Sequence, residues 1–255
     1  MIAVTGASGL IGSSVVRQLL NKGDAVRALV RPTSDLRNLT GLDIEMMQGD
    51  LLNRETLIPF LRGCKGLFHL AADYRLWAKY PDDLFDVNCN GSKSVLLAAA
   101  SAGVSRIVYT SSVATLGIIN GGVADEKTPV NYSDMIGVYK KSKYRAEQIV
   151  NKLFCDEGIP IVTVNPTTPV GPRDIKPTPT GRMILEAAAG RMPAYVETGL
   201  NIAHVDDVAA GHLLAFEKGV LGERYILGGD NLEFSEILEL IAEITGKPGP
   251  KFKIP

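Results

Sequence analysis

The first dozen residues constrain this chain more than any other segment. A β-rich apolar run, Ile2–Thr5, passes straight into Thr5-Gly6-Ala7-Ser8-Gly9-Leu10-Ile11-Gly12, and the apolar spacing from Leu10 onward is helical. Each glycine has a physical use. Gly6 permits a tight turn, Gly9 lets backbone approach a ligand, and Gly12 lets a helix pack closely on the strand. A helix that starts on such a turn presents free N–H groups and the positive end of its dipole, and both attract phosphate. Strand, glycine turn and helix in this order predict a dinucleotide pyrophosphate on the turn, held by Thr5, Gly6, Ser8, Gly9, Leu10, Ile11 and Gly12.

The same alternation continues. Strand patterns recur at 25–30, 44–48, 67–71, Arg106–Thr110 and 160–165, with helical patterns at 54–62, 84–102 and 139–155 between them. This predicts an α/β fold, a doubly wound parallel sheet covered by helices on both faces with right-handed crossovers. After Asn165 the rhythm changes. Pro166, Pro169, Pro172, Pro177 and Pro179 predict a largely irregular stretch. Helical patterns return at 181–189, 208–218 and Phe234–Thr245, with a short strand at 223–227. The expected organisation is a nucleotide-binding part, 1–165, and a smaller substrate lobe, 166–255, interleaved with it.

Composition narrows the partners. Apolar residues make up 45% and charged residues 22% of the 255, with a formal net charge of -1. A charge-balanced chain of this make-up is globular, and nucleic acid and anionic membranes are poor partners for it. No apolar run reaches the length of a membrane span, and the opening residues lack the pattern of a signal peptide. Cys64, Cys89 and Cys155 fit no zinc spacing, so no metal is expected. They read as buried reduced thiols of a cytoplasmic protein.

Further positions extend the nucleotide site. Arg31 ends the second strand, where a carboxylate would accept from the ribose hydroxyls of NAD and a cation would meet the 2'-phosphate of NADP. NADP is therefore favoured, with NAD as the alternative because Asp35 lies close by. Asp50 and Leu51 follow the third strand, where a carboxylate could accept from adenine or simply start a helix. Ala71 and Ala72 follow the fourth, where small side chains let a cofactor lie across the strand end.

The chemistry is expected from Ser112, Tyr139 and Lys143. Tyr139 and Lys143 are four apart at the start of a helix, so they share a face. Free tyrosine has a pKa near 10, and a neighbouring ammonium would favour its phenolate. Lys143 could also hold the nicotinamide ribose. Ser112 follows a strand at the sheet edge where open α/β proteins bind ligands, with Ser111 on the opposite side; either could instead cap a turn. Asp73, Tyr74, Arg75 and Trp77 could line the pocket mouth or form a solvated loop. Arg173, Lys176 and Arg182 could bind a substrate diphosphate or be surface charges.

Together these motifs resemble the extended short-chain dehydrogenase/reductase superfamily, and the resemblance covers nearly the whole chain. Thr5 through Gly12 looks like its cofactor fingerprint and Tyr139 through Lys143 like its active-site motif. Asn88 is similar to a helix asparagine that supports the active site there. Asn165-Pro166 and the following prolines resemble its loop after the sixth strand, which adds Pro166 to the cofactor contacts. His204-Val205-Asp206-Asp207-Val208-Ala209 resembles a further signature, with helix capping by an Asp as the equal alternative.

Within the superfamily, Ala71 through Trp77, Tyr109 through Gly117 and Asn165 through Gly181 resemble dihydroflavonol-reductase-like proteins and the hopanoid-associated sugar epimerase type. The resemblance implies a Rossmann fold, an NAD(P) cofactor, a small carbonyl or sugar substrate and a homodimer. Three activities are carried: an NADP-dependent reductase, a nucleotide-sugar epimerase that retains its cofactor, and a catalytically silent NADP sensor. Sugar-nucleotide dehydratases carry Thr-Asp-Glu where this chain has Ser112-Val113-Ala114, which disfavours water elimination. Members usually run beyond residue 255, so part of the substrate lobe is expected to lie outside this chain.

Overall fold

Strand alternation shows how the sheet acquires two covered faces. In the computed structural model, which describes residues 1–250 and 252–254, β1 (Ile2–Thr5) is buried along its whole length. Ile2 and Val4 pack into one apolar cluster and Ala3 into the other, as a period of two requires. The chain then forms α1 (Leu10–Asn21), β2 (Val26–Val30), β3 (Glu45–Gln48), α2 (Arg54–Leu61), β4 (Gly66–His69), α3 (Asp82–Phe85), α4 (Ser92–Ser101), β5 (Arg106–Thr110), α5 (Val138–Glu157) and β6 (Ile161–Pro166). It continues through β7 (Thr168–Val170), α6 (Pro179–Ala188), β8 (Ala194–Val196), β9 (Gly199–His204), α7 (Val205–Lys218), β10 (Arg224–Leu227), β11 (Asp230–Glu233), α8 (Phe234–Thr245) and β12 (Phe252–Ile254).

The main sheet has seven strands in the order β10-β6-β5-β4-β1-β2-β3, all parallel. Helices α2, α4 and α5 cover one face through Leu57, Leu96 and Val150. Helices α1 and α7 cover the other through Val15, Leu19 and Leu213. This is the doubly wound Rossmann-like α/β arrangement that the alternation predicts. From β1 the chain winds outward to β3, then returns to start β4 on the other side of β1. The ends of β1 and β4 therefore flank a topological switch point, where open α/β sheets bind ligands.

The later residues build two smaller sheets, β11-β9-β7 and β12-β8, while β10 returns to the edge of the main sheet beside β6.

Four local expectations need correction. The helix expected at 84–102 starts at Asp82 and carries a wide π-type turn, Asp86–Gly91, between α3 and α4. The proline-rich stretch contains a strand, β7, because Thr168–Val170 find carbonyl and amide partners on β9. Helix α7 starts at Val205, capped by the His204 ring, which accepts from the Asp206 amide at 3.2 Å, instead of by an aspartate. Cys64 and Cys89 are buried, but Cys155 is exposed on α5.

Candidate active site

Two glycines hold the turn after β1. Gly6 has φ +71°, and a Cβ there would sit 2.7 Å from the Ala71 amide nitrogen; an L side chain is excluded both by conformation and by space. A Cβ on Gly12 would run into the Gly6 carbonyl, so α1 rests directly on the turn. Gly9 is the exposed N-cap of α1, which has no side-chain cap and no acidic residue in its first turn. The end of α1 is thus open to an anion, which fits a pyrophosphate.

The side chains of the turn are used otherwise than expected. Thr5 is fully buried, and its hydroxyl lies 2.7 Å from His69 Nδ1 and accepts from the Ala71 amide at 3.3 Å. It joins β1 to β4 instead of facing a cofactor. Leu10 is buried and Ile11 packs partly on the core, so their backbone alone faces the turn. Ser8 is part-exposed, and its carbonyl accepts from Asn38 Nδ2 at 3.0 Å. Asn38 also donates to the Arg173 carbonyl at 2.8 Å. Buried Asn38 therefore fastens the glycine turn to the loop after β7.

Arg31 is exposed at the end of β2, its amide donating to Ser34 Oγ at 3.0 Å. The Asp35 carboxylate is taken by Arg37, with Nη2 to Oδ2 at 2.6 Å; that pairing holds its pKa below the usual carboxylate range. Asp50 is exposed and closes a turn by accepting from the Leu52 amide at 2.9 Å, while Asn53 caps α2. Leu51 is buried against Gly91. Ala71 and Ala72 are half-buried beyond β4, Ala71 being the residue that Gly6 abuts. Pro166 is buried at the end of β6 opposite Leu227.

The chemical groups gather beyond β5. Tyr139 stands in the first turn of α5, one turn before Lys143. Burial raises the Tyr139 phenol above its ordinary range, and the nearby Ser112 side chain opposes that rise. Ser112 Oγ also accepts from the Ala114 amide at 3.1 Å, capping a short 3-10 turn, Val113–Thr115. Lys143 is 3% exposed; Nζ donates to the Thr110 carbonyl at 2.9 Å and lies 5.2 Å from the centre of the Tyr109 ring. Burial lowers its pKa to about 8, with the Glu147 charge pulling upward. The expected lowering of the Tyr139 phenol by the ammonium is not the dominant effect here: burial is, and the lysine is bonded to Thr110.

Ser111 points the other way and donates to the Glu147 carboxylate. Glu147 also accepts from Thr115 Oγ1 at 2.8 Å, Asn165 Nδ2 at 3.1 Å and Arg224 Nη1 at 3.0 Å. Asn88 lies in the π-type turn and exchanges bonds with the Asp73 backbone, accepting from N at 2.8 Å and donating to O at 3.0 Å. It also donates to Ser142 Oγ at 2.9 Å. The loop after β4 is thereby tied to α5.

Two expected substrate contacts are engaged elsewhere. The Asp73 carboxylate pairs with Arg75, Nη2 to Oδ2 at 2.6 Å. The Arg173 guanidinium meets Ser14 Oγ at 2.9 Å and Asp206 Oδ1 at 2.5 Å, clamping α1 to α7. Tyr74 and Trp77 are exposed on the loop after β4, Trp77 by 77%. Arg37, Asn38 and Glu147 belong to the site although no motif marks them. Only Glu147 carries a signal, since it follows Tyr139 and Lys143 at the same spacing of four along one helix face.

Comparison with known proteins fits this geometry. Residues 2–228 match the NAD dependent epimerase/dehydratase family. The chain belongs to that family. As a member, it is an NAD(P)-dependent enzyme of the extended short-chain dehydrogenase/reductase class. It is 48% identical to a Synechocystis sp. protein named "Putative dihydroflavonol 4-reductase", over 99% of this chain and 74% of that protein. It is 31% identical to cinnamoyl-CoA reductase 2 of Medicago truncatula, over 100% of this chain and 78% of that protein. The crystal structure of gox2253 superposes with a TM-score of 0.97 at 54% identity, covering 100% of this chain and 77% of that one.

Proposed function

We propose that this family member is an NADP-dependent reductase that moves a hydride reversibly between nicotinamide C4 and a carbonyl or alcohol carbon of a small molecule. The observation that carries this reading is the placement of Ser112 directly beyond β5, with Tyr139 in the first turn of α5 one helical turn before buried Lys143, whose Nζ is fixed to the Thr110 carbonyl. The cofactor, when bound, supplies the hydride. Ser112 holds the substrate oxygen, and Tyr139 passes its proton to the alkoxide as that forms. Lys143, fixed to the Thr110 carbonyl, keeps a positive charge beside the reacting oxygen and holds the cofactor ribose.

Gly6, Ser8, Gly9, Leu10, Ile11 and Gly12 form the pyrophosphate cradle through their backbone, with Ala71, Ala72 and Pro166 along the strand ends. Arg31 supports NADP over NAD. It makes no ion pair among the described residues, whereas the nearby carboxylate, Asp35, is neutralised by Arg37. Residues 1–165 carry the cofactor and 166–255 the substrate lobe, with β10 lending its strand to the first part. The free cysteines suit a reducing cytoplasm. Pairing of α4 and α5 with a second copy would make the homodimer, and a monomer by light scattering contradicts that part.

A second reading, epimerisation of a nucleotide sugar, draws on exposed Lys176 and Arg182 in the substrate lobe, which suit a diphosphate. An epimerase returns its hydride to the same substrate and keeps its cofactor; a reductase exchanges it. Gel filtration followed by incubation with NADPH and a dihydroflavonol, cinnamoyl-CoA or UDP-glucose separates the two. NADPH consumption by a protein that elutes without cofactor supports the reductase. Retained cofactor and conversion of UDP-glucose without net NADPH consumption would replace it with the epimerase.

A further inference from the structure

Glu147 is the most heavily bonded side chain near the site, yet it touches neither Tyr139 nor Ser112. It is 2% exposed. One carboxylate oxygen accepts from Ser111, Thr115 and Asn165, the other from Arg224. A buried carboxylate is costly unless it is paired and fully hydrogen-bonded, and here the four partners come from three parts of the site. Ser111 and Thr115 bracket Ser112. Asn165, next to last in β6, also donates to the Ser112 carbonyl at 3.0 Å. Arg224 opens β10, the strand contributed by the second half of the chain, and its Nε donates to the Glu126 carbonyl at 2.6 Å. Glu126 Oε1 in turn accepts from the Ile226 amide at 2.9 Å. The network therefore joins α5, the Ser112 turn, the long loop after β5 and β10.

We infer that Glu147 is the positioning residue that seats Ser112 and Lys143, with Arg224 as its anchor on the substrate-lobe side. It acts on Ser112 through the hydroxyls on either side, which prevent the turn from rotating. It acts on Lys143, one helical turn away, through its charge, which favours the ammonium. The other groups facing that ammonium are Cys89, His69 and the Tyr109 ring; Glu147 is the acid among them. The inference rests on the assignment of Ser112, Tyr139 and Lys143 above.

The test needs no substrate. Protein labelled with 13C at lysine Cε is titrated by NMR, and hydrogen exchange is followed at residues 111–116, in the wild type, Glu147→Gln and Thr115→Val. In Glu147→Gln the Lys143 midpoint should fall by at least about half a unit from the wild type, and exchange over 111–116 should quicken about tenfold or more. In Thr115→Val the midpoint should stay and the exchange should quicken. A merely structural carboxylate would lower the melting temperature and leave the lysine midpoint in place. A folded Glu147→Gln protein with wild-type midpoint and exchange overturns the inference. If that variant does not fold, unchanged exchange at 111–116 in Thr115→Val overturns it. A failed role for Tyr139 would appear in turnover instead, so the two failures are distinguishable.

Discussion

Residue by residue, the site works through pairing and its absence. Arg31 is the exposed cation at the end of β2, and Asp35 is held by Arg37. Arg31→Ala should therefore weaken NADPH binding about tenfold, as loss of a charge-assisted bond to the 2'-phosphate implies, and leave NADH binding nearly unchanged. Paired fluorescence titrations check this; an equal loss for both cofactors would contradict it. Lys143 gives a pH signature. Its burial lowers the pKa to about 8, so the ammonium is intact below pH 8 and lost as pH rises through it. Turnover should fall on that alkaline limb, and Lys143→Met should abolish the limb along with most activity, as a rate–pH profile would show. Arg37, Asn38 and, apart from its spacing along α5, Glu147 were hidden in the sequence for a common reason. An arginine, an asparagine and a glutamate in helices or loops have the composition of a solvated surface, and only tertiary contacts reveal that Asn38 and Glu147 are buried. Arg173 misled in the opposite sense: a cation in a substrate-side loop is spent on Ser14 and Asp206.

At the scale of elements, the glycine turn and the wide turn before α4 set the site's shape. Gly6→Ala would place a methyl against the Ala71 backbone in a left-handed conformation, so it should cost more than about 1 kcal/mol of stability and abolish cofactor binding. Thermal melts and NADPH titration test both; wild-type affinity in the variant would contradict the cradle. The first six strands were readable because a strand pattern is local, a short run closed by turn residues, and α-helices follow closely on β1 and β3. Helix 84–102 was readable as a helix but not as a widened one. The π-type turn lets Asn88 reach both Asp73 and Ser142, and no periodicity of apolar residues reports that. Strand β7 is three residues long and exists because β9, more than thirty residues later, pairs with it; a local pattern carries no such information.

Across the whole molecule, two buried histidines tie the sheet to its helices. His69 bridges Thr5 on β1 and Ser92 on α4, and His212 on α7 meets Thr110 on β5 at 3.0 Å. Burial lowers their pKa values to about 3 and about 4, with the Lys143 charge adding to the effect at His69. Above the ordinary histidine value of 6.5 both are neutral folded or unfolded. As pH falls below 6.5 the unfolded chain binds protons that the folded chain refuses, so stability is lost progressively toward pH 3 to 4. Melting temperatures from pH 7 down to 4 should show this fall, and His212→Gln should flatten it. A flat wild-type profile would contradict the assignment.

In the proposed reaction Tyr139 moves the proton in hydride transfer, while the glycine turn holds the cofactor independently of it. Turnover and NADPH affinity of Tyr139→Phe, measured side by side with whichever carbonyl substrate the wild type reduces, test it most directly. Turnover in the variant should fall about a hundredfold or more, with NADPH affinity nearly intact. Wild-type turnover in Tyr139→Phe would contradict it.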